Sequence, residues 1–120
     1  MRSIKLTLKG IPPSLNEFLG KETPQKYRQA KQTWTDAVMW MLRSQGIRLP
    51  KPFERARVTI EYFFPDNRRH DADNYCGKLL LDGLTKGGII TDDDFKHISL
   101  SVAGDVDRIN PRTEITVQEQ

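Results

Sequence analysis

The sequence contains little cysteine and no long apolar run, and these two absences exclude several classes of protein. Its one cysteine, Cys76, excludes a framework of disulfide bonds within the chain and is typical of a reducing compartment. No stretch of apolar residues approaches the length that crosses a bilayer, and the N-terminus lacks the apolar segment of a secretory signal. We therefore expect a cytoplasmic protein that does not enter the membrane.

Familiar catalytic motifs are missing as well. The chain has no glycine-rich loop that would cradle a phosphate and no nucleophile elbow around a serine. Neither His70 nor His97 has the spacing of a zinc ligand relative to Cys76, which is better explained as a small buried residue than as a nucleophile. The sequence therefore predicts neither a zinc site nor a small-molecule cofactor.

What remains is an ordinary globular composition with an uneven distribution of charge. The chain has 120 residues, 37% of them hydrophobic and 29% charged, which is the size of a single domain covering residues 1–120. Its net charge is +3, but residues 1–57 carry +8 and residues 58–120 carry −5. The basic half suits a phosphate backbone, whereas the acidic half would repel one unless its carboxylates surround metal ions. Folding could also mix the two halves, and charge counts alone leave both readings open.

Apolar residues alternate with polar ones in four segments, which predicts four strands. These segments are residues 4–8, 58–64, 98–102 and 113–117. In the second of them Phe63 lies opposite the main apolar face, so we expect that strand to be covered on both sides. A turn-rich loop is expected over residues 105–111.

Two segments have helical periodicity. The first begins at Thr23-Pro24, an N-cap followed by proline at the first helical position, and ends near Gly46. The second runs from about residue 74 to residue 86 and ends at Gly87-Gly88. The predicted fold is α+β (mixed α/β), with two main helices on a small, mostly four-stranded sheet.

Acidic residues next to basic ones form the most informative segment of the chain. Asp71 and Asp73 follow Arg68, Arg69 and His70 where the second strand ends. Like charges this close raise one another's pKa unless a cation neutralises them, and hard oxygen ligands of this kind suit Mg²⁺. An Asp-x-Asp pair is also common without a metal, because aspartate is a favoured N-cap.

Two further features support a metal site. If the second helix continues from the acids, positions 71, 74, 78 and 82 share one face, which brings Lys78 within reach of a phosphate held by the metal. The alternative is that Lys78 pairs with Asp82 one turn later on the helix surface. One of the adjacent acids Asp92, Asp93 and Asp94 would complete the cluster as a third ligand, although such a run is by default an exposed turn.

Taken together, these segments resemble the RusA family of Holliday junction resolvases, which are phage- and prophage-type crossover junction endodeoxyribonucleases. The similarity runs over nearly the whole chain, and its elements are specific only in combination. They are the Pro-Pro-Ser-x-Asn element at residues 12–16, the Arg-His-Asp-Ala-Asp-Asn element at residues 69–74, and residues 78–93 from Lys78 to the paired acids. One departure is that Asp73 and Lys78 are separated by one residue more than in the best-known members.

The resemblance implies a site and an activity. It assigns metal binding to Asp71, Asp73 and Asp93, with Asp92 as the neighbouring acid, and a catalytic role to Lys78. It implies a homodimer that uses Mg²⁺, or Mn²⁺ instead, to resolve four-way or otherwise branched DNA by paired symmetric nicks with 5′-phosphate ends, in recombination and repair. The expected DNA contacts are Arg68, Arg69, His70, Lys86 and Asn16.

Two other functions are compatible with the same residues. The chain could be a non-catalytic dimer that binds branched DNA, in which case the aspartates serve as helix caps. It could also be a metal-dependent nuclease that prefers flaps or replication forks. Cleavage in the presence of a divalent metal would exclude the non-catalytic DNA-binding dimer. Competition between substrates of equal length would show whether the nuclease prefers flaps or forks to four-way junctions.

Overall fold

A computed structural model describes residues 2–20 and 24–120 of the chain. Within these residues the fold is α+β, with a four-stranded mixed sheet covered on one face by two α-helices, which confirms the predicted fold class. The predicted cap Thr23 lies outside the described residues. None of the helices in this part of the chain is long and apolar enough to cross a membrane.

The elements follow the predicted order. The strands are β1 (Ser3–Lys9), β2 (Ala56–Phe64), β3 (Ile98–Val106) and β4 (Arg112–Glu119). The helices are α1 (Pro24–Ser44) and α2 (Leu81–Lys86), with short 3-10 turns at Leu15–Phe18 and Ala72–Asn74. β3 extends to Val106, beyond the predicted end at residue 102, so the loop before β4 is shorter than the expected 105–111.

The sheet has the order β1-β4-β2-β3. β4 is antiparallel to both β1 and β2, whereas β2 and β3 are parallel, with Ala56 opposite Ile98 and Phe64 opposite Val106. Parallel strands need a long crossover connection. Here the crossover consists of residues 65–97, which carry every acid of the predicted site.

Alternation places the core on one side of the sheet. In β2, Val58, Ile60 and Tyr62 are buried under the helices, while Arg57 and Glu61 are exposed on the other side. Phe63 is half-buried, because the Arg112 guanidinium lies over its ring at 3.9 Å from the centroid. The expectation that β2 is covered on both sides is therefore wrong, since one cation covers one ring and the rest of that face is polar.

The predicted long second helix is also wrong. Helical structure after β2 is limited to the turn at Ala72–Asn74 and to α2, and Gly77 between them has a positive φ of 84°. A Cβ at Gly77 would also lie 2.6 Å from Cδ1 of Ile60, so the Ile60 side chain would have to move. The left-handed backbone, which glycine adopts at little cost, breaks the helix and allows the segment to pack closely against β2. Positions 71, 74, 78 and 82 therefore do not form one helical face.

Close contact between α1 and α2 depends on Gly83. A Cβ at this position would lie 2.5 Å from Cβ of Val38 and 3.1 Å from the backbone oxygen of Thr35. Both α1 residues are buried, so neither can move away freely. Gly83 thus sets the distance at which the crossover helix docks.

We predict that Gly83→Ala lowers the free energy of unfolding by about 1–3 kcal/mol through overpacking. Urea unfolding measures the change. In a Val38→Gly background the same substitution should cost less, because Cβ and Cγ1 of Val38, which lie 2.5 Å and 2.8 Å from the added Cβ, have been removed. Equal costs in the two backgrounds would show that Gly83 is not a packing contact.

Candidate active site

The first group of predicted site residues follows the end of β2. Asp71 caps the Ala72–Asn74 turn with an extended backbone, at φ −93° and ψ 135°, and its carboxylate accepts a hydrogen bond from Nε of Arg69 at 2.9 Å. Asp73 lies exposed inside the same turn. The side chains of Arg68 and Arg69 are 85% and 88% exposed, which leaves both guanidinium groups accessible to a phosphate backbone.

His70 is held much more firmly than the two arginines. Its ring stacks on Phe64 with centroids 3.8 Å apart and an angle of 3° between the planes. Its Nε2 lies 3.3 Å from Oδ1 of Asp66, which also accepts the backbone N–H of Arg68 at 3.0 Å. The Arg68 N–H, followed by the hydrogen bond to His70, holds the pKa of Asp66 below its usual value. The turn that leads into the acids is therefore anchored to the end of β2.

A small cavity of about 120 Å³ opens beside this turn. Its walls include Tyr62, Phe64, His70, Asp71 and Gly104. The cavity shows that Asp71 lies near the C-terminal end of β3, to which Gly104 belongs.

The segment that carries Lys78 packs against the predicted Pro-Pro-Ser element. Pro12, Pro13 and Leu15 line a narrow cleft together with the residues from Asn74 to Leu80. Burial raises the pKa of the Tyr75 hydroxyl, and a hydrogen bond with Ser14 partly opposes this effect. Two elements that are far apart in the sequence are thus neighbours, with Asn16 exposed beside them.

Lys78 is exposed and lies on the α1 side of this segment. Its Nζ is 5.9 Å from the ring centroid of Tyr27. The alternative pairing of Lys78 with Asp82 is not formed, because Asp82 instead pairs with Nζ of Lys31 at 3.2 Å. Lys78 is therefore exposed and not paired with Asp82, and Lys86 is likewise exposed in the last turn of α2.

The second acidic group precedes β3. The backbone N–H of Asp93 donates to Oδ1 of Asp92 at 2.8 Å. Burial and the neighbouring Asp92 carboxylate raise the pKa of Asp93, with a smaller contribution from Asp82. Because a nearby cation would relieve this repulsion, the carboxylate oxygens here fit a hard divalent ion.

Asp94 and His97 were missed as a pair by the sequence reasoning. The Asp94 carboxylate accepts a hydrogen bond from the backbone N–H of His97 at 3.1 Å and also contacts His97 Nδ1. Together with Asp92 these residues place one ligand atom each within 4.8 Å of one another, and no other group of three potential metal ligands does so within residues 2–20 and 24–120. The Asp-x-x-His spacing was a local signal for this pair. By contrast, the contact of Lys31 with Asp82 depends on tertiary packing and has no such signal.

The two acidic groups lie toward opposite ends of β3 within one chain. The backbone oxygen of Asp94 accepts the N–H of Ile98 at 3.0 Å, at the start of the strand, whereas Asp71 lies near Gly104. An extended strand from Ile98 to Gly104 rises about 20 Å. The assignment of Asp71, Asp73 and Asp93 to one ion therefore stays a prediction.

The sequence matches one protein family across most of its length. The family model described as Endodeoxyribonuclease RusA matches residues 11–118, and this range contains all the predicted site residues. No curated protein matches the chain.

We predict that Asp66→Asn destabilises the protein at neutral pH by removing the charge that orients His70 and the Arg68 backbone. The pKa of Asp66 lies below its usual 3.8 in the folded state, so its contribution is present above that value and is lost as the pH falls through the lower folded pKa. Urea unfolding of the parent and variant should differ at pH 7 and agree at about pH 2. Asp36→Asn on α1 is the matched control, and a difference that is the same at both pH values would contradict the assignment.

Proposed function

We propose, because the chain belongs to the endodeoxyribonuclease RusA family, that it is a Mg²⁺-dependent endonuclease that resolves four-way and other branched DNA. The observation that carries this proposal is the composition of the crossover between β2 and β3. It presents two acidic loops and the exposed cations Arg68, Arg69 and Lys78. Acids for a metal and cations for phosphates are the groups that hydrolysis of a phosphodiester requires.

Asp71 and Asp73 would hold the metal. Asp93, with Asp92 beside it, lies toward the opposite end of β3 within one chain, so it would serve as the third ligand only where a homodimer brings the two acidic groups together. When bound, Mg²⁺, or Mn²⁺ in its place, polarises the scissile phosphate and lowers the pKa of an attacking water. The raised pKa of Asp93 supports this assignment, because the carboxylate is partly desolvated next to another acid.

The basic residues would position the DNA. Arg68 and Arg69 would contact the backbone on either side of the cut, and His70 would keep the loop in place through its stacking on Phe64. Lys78 would stabilise the negative charge that develops on the phosphate. Lys86 and Asn16, both exposed, would contact DNA farther from the cut.

Resolution of a junction requires two cuts related by symmetry, so we propose a homodimer with one site in each subunit. Paired nicks with 5′-phosphate and 3′-hydroxyl ends can be ligated directly. Recombination and repair in the cytoplasm of a bacterial or phage-infected cell would use this activity.

We predict that Asp73→Asn abolishes cleavage of a labelled four-way junction in Mg²⁺ while leaving structure-selective binding intact. Loss of a metal ligand removes the ion's contribution to the reaction but leaves the phosphate contacts in place. Cleavage and gel-shift assays on the same junction measure the two properties. Product mapping on all four strands of the parent reaction tests whether the cuts are symmetric.

Two control variants accompany this experiment. Asp36→Asn makes the same change in charge on α1 and should cleave normally. His97→Ala should also retain cleavage, because the Asp94–His97 contact closes a turn in the fold. If His97→Ala is inactive and Asp73→Asn is active, the metal belongs to Asp92, Asp94 and His97 instead.

We predict that Lys78→Ala lowers the single-turnover rate of cleavage by about 100-fold, because one stabilising contact to the reacting phosphate is lost. The affinity for the junction should change much less, since Arg68 and Arg69 remain. Single-turnover kinetics at saturating enzyme separates the two effects. A weaker affinity with an unchanged rate would make Lys78 a phosphate contact without a role in the reaction.

A further inference from the structure

A cleft of about 500 Å³ opens where the C-terminal ends of α1 and α2 meet. The two helices run side by side in the same direction, with Gly83 against Val38 and Gly87 against Leu42. At Gly87 a Cβ would lie 2.5 Å from Cδ1 of Leu42, so the glycine allows the two ends to approach closely. The turn after α1, which has a positive φ of 68° at Gly46, forms another wall.

Three cations and no acid are found among the residues that line this cleft. They are Arg43 in the last turn of α1, Arg48 in the loop that follows, and Lys86 in the last turn of α2. All three are exposed, and within residues 2–20 and 24–120 none of them forms an ion pair with a carboxylate. The remaining walls are mostly apolar, with Leu42 buried and Ile47 half-buried. A cluster of cations without counter-ions in the fold attracts an anion from outside it.

The ends of the two helices account for only part of this charge. The C-terminus of a helix carries about half a negative charge, so the two ends together offset about one of the three cations. Arg43 and Lys86 are placed to make this contribution, whereas Arg48 lies outside both helices. The cleft therefore keeps an excess of positive charge.

The cleft and Lys78 lie at opposite ends of the same helix pair. Nζ of Lys78 is 5.9 Å from the ring centroid of Tyr27, in the first turn of α1, whereas Arg43 belongs to the last turn. From Tyr27 to Arg43 an α-helix rises about 24 Å. Because successive nucleotides of a duplex strand are spaced about 3.4 Å along its axis, this distance corresponds to about seven base pairs.

We propose that this cleft, defined by Arg43, Arg48 and Lys86, binds the phosphodiester backbone of a DNA arm about seven base pairs from the phosphate that Lys78 contacts. The proposal rests on the proposed function, because Lys78 marks the cut only in a nuclease. Arginine suits this role, since its planar group can donate two parallel hydrogen bonds to one phosphate. Such a contact orients the arm without reading its sequence.

The walls of the cleft favour a DNA backbone over a free nucleotide. Its charges are exposed, and no buried polar side chain among its lining residues is available to recognise a base or a sugar. A site for a small molecule normally encloses its ligand and fixes it with such groups. A polymer backbone needs only accessible cations.

Binding of a four-way junction without divalent metal tests the contact apart from cleavage. Arg43→Gln and Arg48→Gln should each weaken binding about fivefold and lower the slope of log affinity against log salt by about 0.9, the value for one phosphate contact. Arg57→Gln makes the same change in charge on the face of β2 away from the helices and should bind as the parent does. An unchanged affinity and slope in both cleft variants would overturn the proposal.

Uncharged methylphosphonate linkages locate the contact on the DNA. A short run of them about seven base pairs from the branch point should weaken binding by the parent, but not by the double variant Arg43→Gln/Arg48→Gln, which has already lost the contact. The same run next to the branch point should weaken both proteins alike. Equal losses for the two proteins at both positions would exclude this location.

Free phosphates distinguish a DNA site from a nucleotide site. Calorimetric titration of the parent with inorganic phosphate and with deoxythymidine monophosphate should give only millimolar binding, because one phosphate lacks the many contacts of a strand. Micromolar binding of either that Arg48→Gln removes would overturn the assignment to DNA. A parent that binds the junction through the cleft but does not cleave it would leave the cleft in place and refute only the proposed nuclease.

Discussion

The parallel pairing of β2 with β3 is the constraint on which the rest of the structure depends. It obliges the chain to cross from the end of one strand to the start of the next, and this crossover carries the acids, the exposed arginines and Lys78. The crossover is held at three points: the stacking of His70 on Phe64, the contact of Gly77 with Ile60, and the docking of Gly83 on Val38. Because each point involves a buried residue of β2 or α1, the geometry of the site is tied to the core.

The strands and α1 could be predicted from the sequence because their apolar residues repeat with a regular period. Ile4, Leu6 and Leu8 are buried as their alternation predicts. The start of the second helix could not be predicted, because the spacing of Leu79, Leu80 and Leu84 is the same whether or not a helix precedes them. Gly77 prevents a continuous helix at this point. Its positive φ and its close contact with Ile60 are visible only in the three-dimensional structure.

The candidate site was predictable in its residue types and less so in its arrangement. Asp71, Asp73 and the run at 92–94 stand out as acids in an otherwise basic chain, and the family match covers all of them. Which of their oxygens meet depends on where each loop leaves the sheet, and the sequence contains no signal for that. The ion pair between Lys31 and Asp82 illustrates the difficulty, since it removes a partner that helical spacing had offered to Lys78.

The position of β4 has a consequence for how the protein is made. β4 lies between β1 and β2 in the sheet, yet it is the last of these strands to leave the ribosome. Until it emerges, β1 has no neighbour to bond, and β2 lacks one of its two. A nascent chain that stops before Arg112 would expose apolar strand faces without a sheet to bury them, and such species are prone to aggregate and to be degraded. Truncated translation products of this protein should therefore lack the assembled sheet that positions the crossover between β2 and β3.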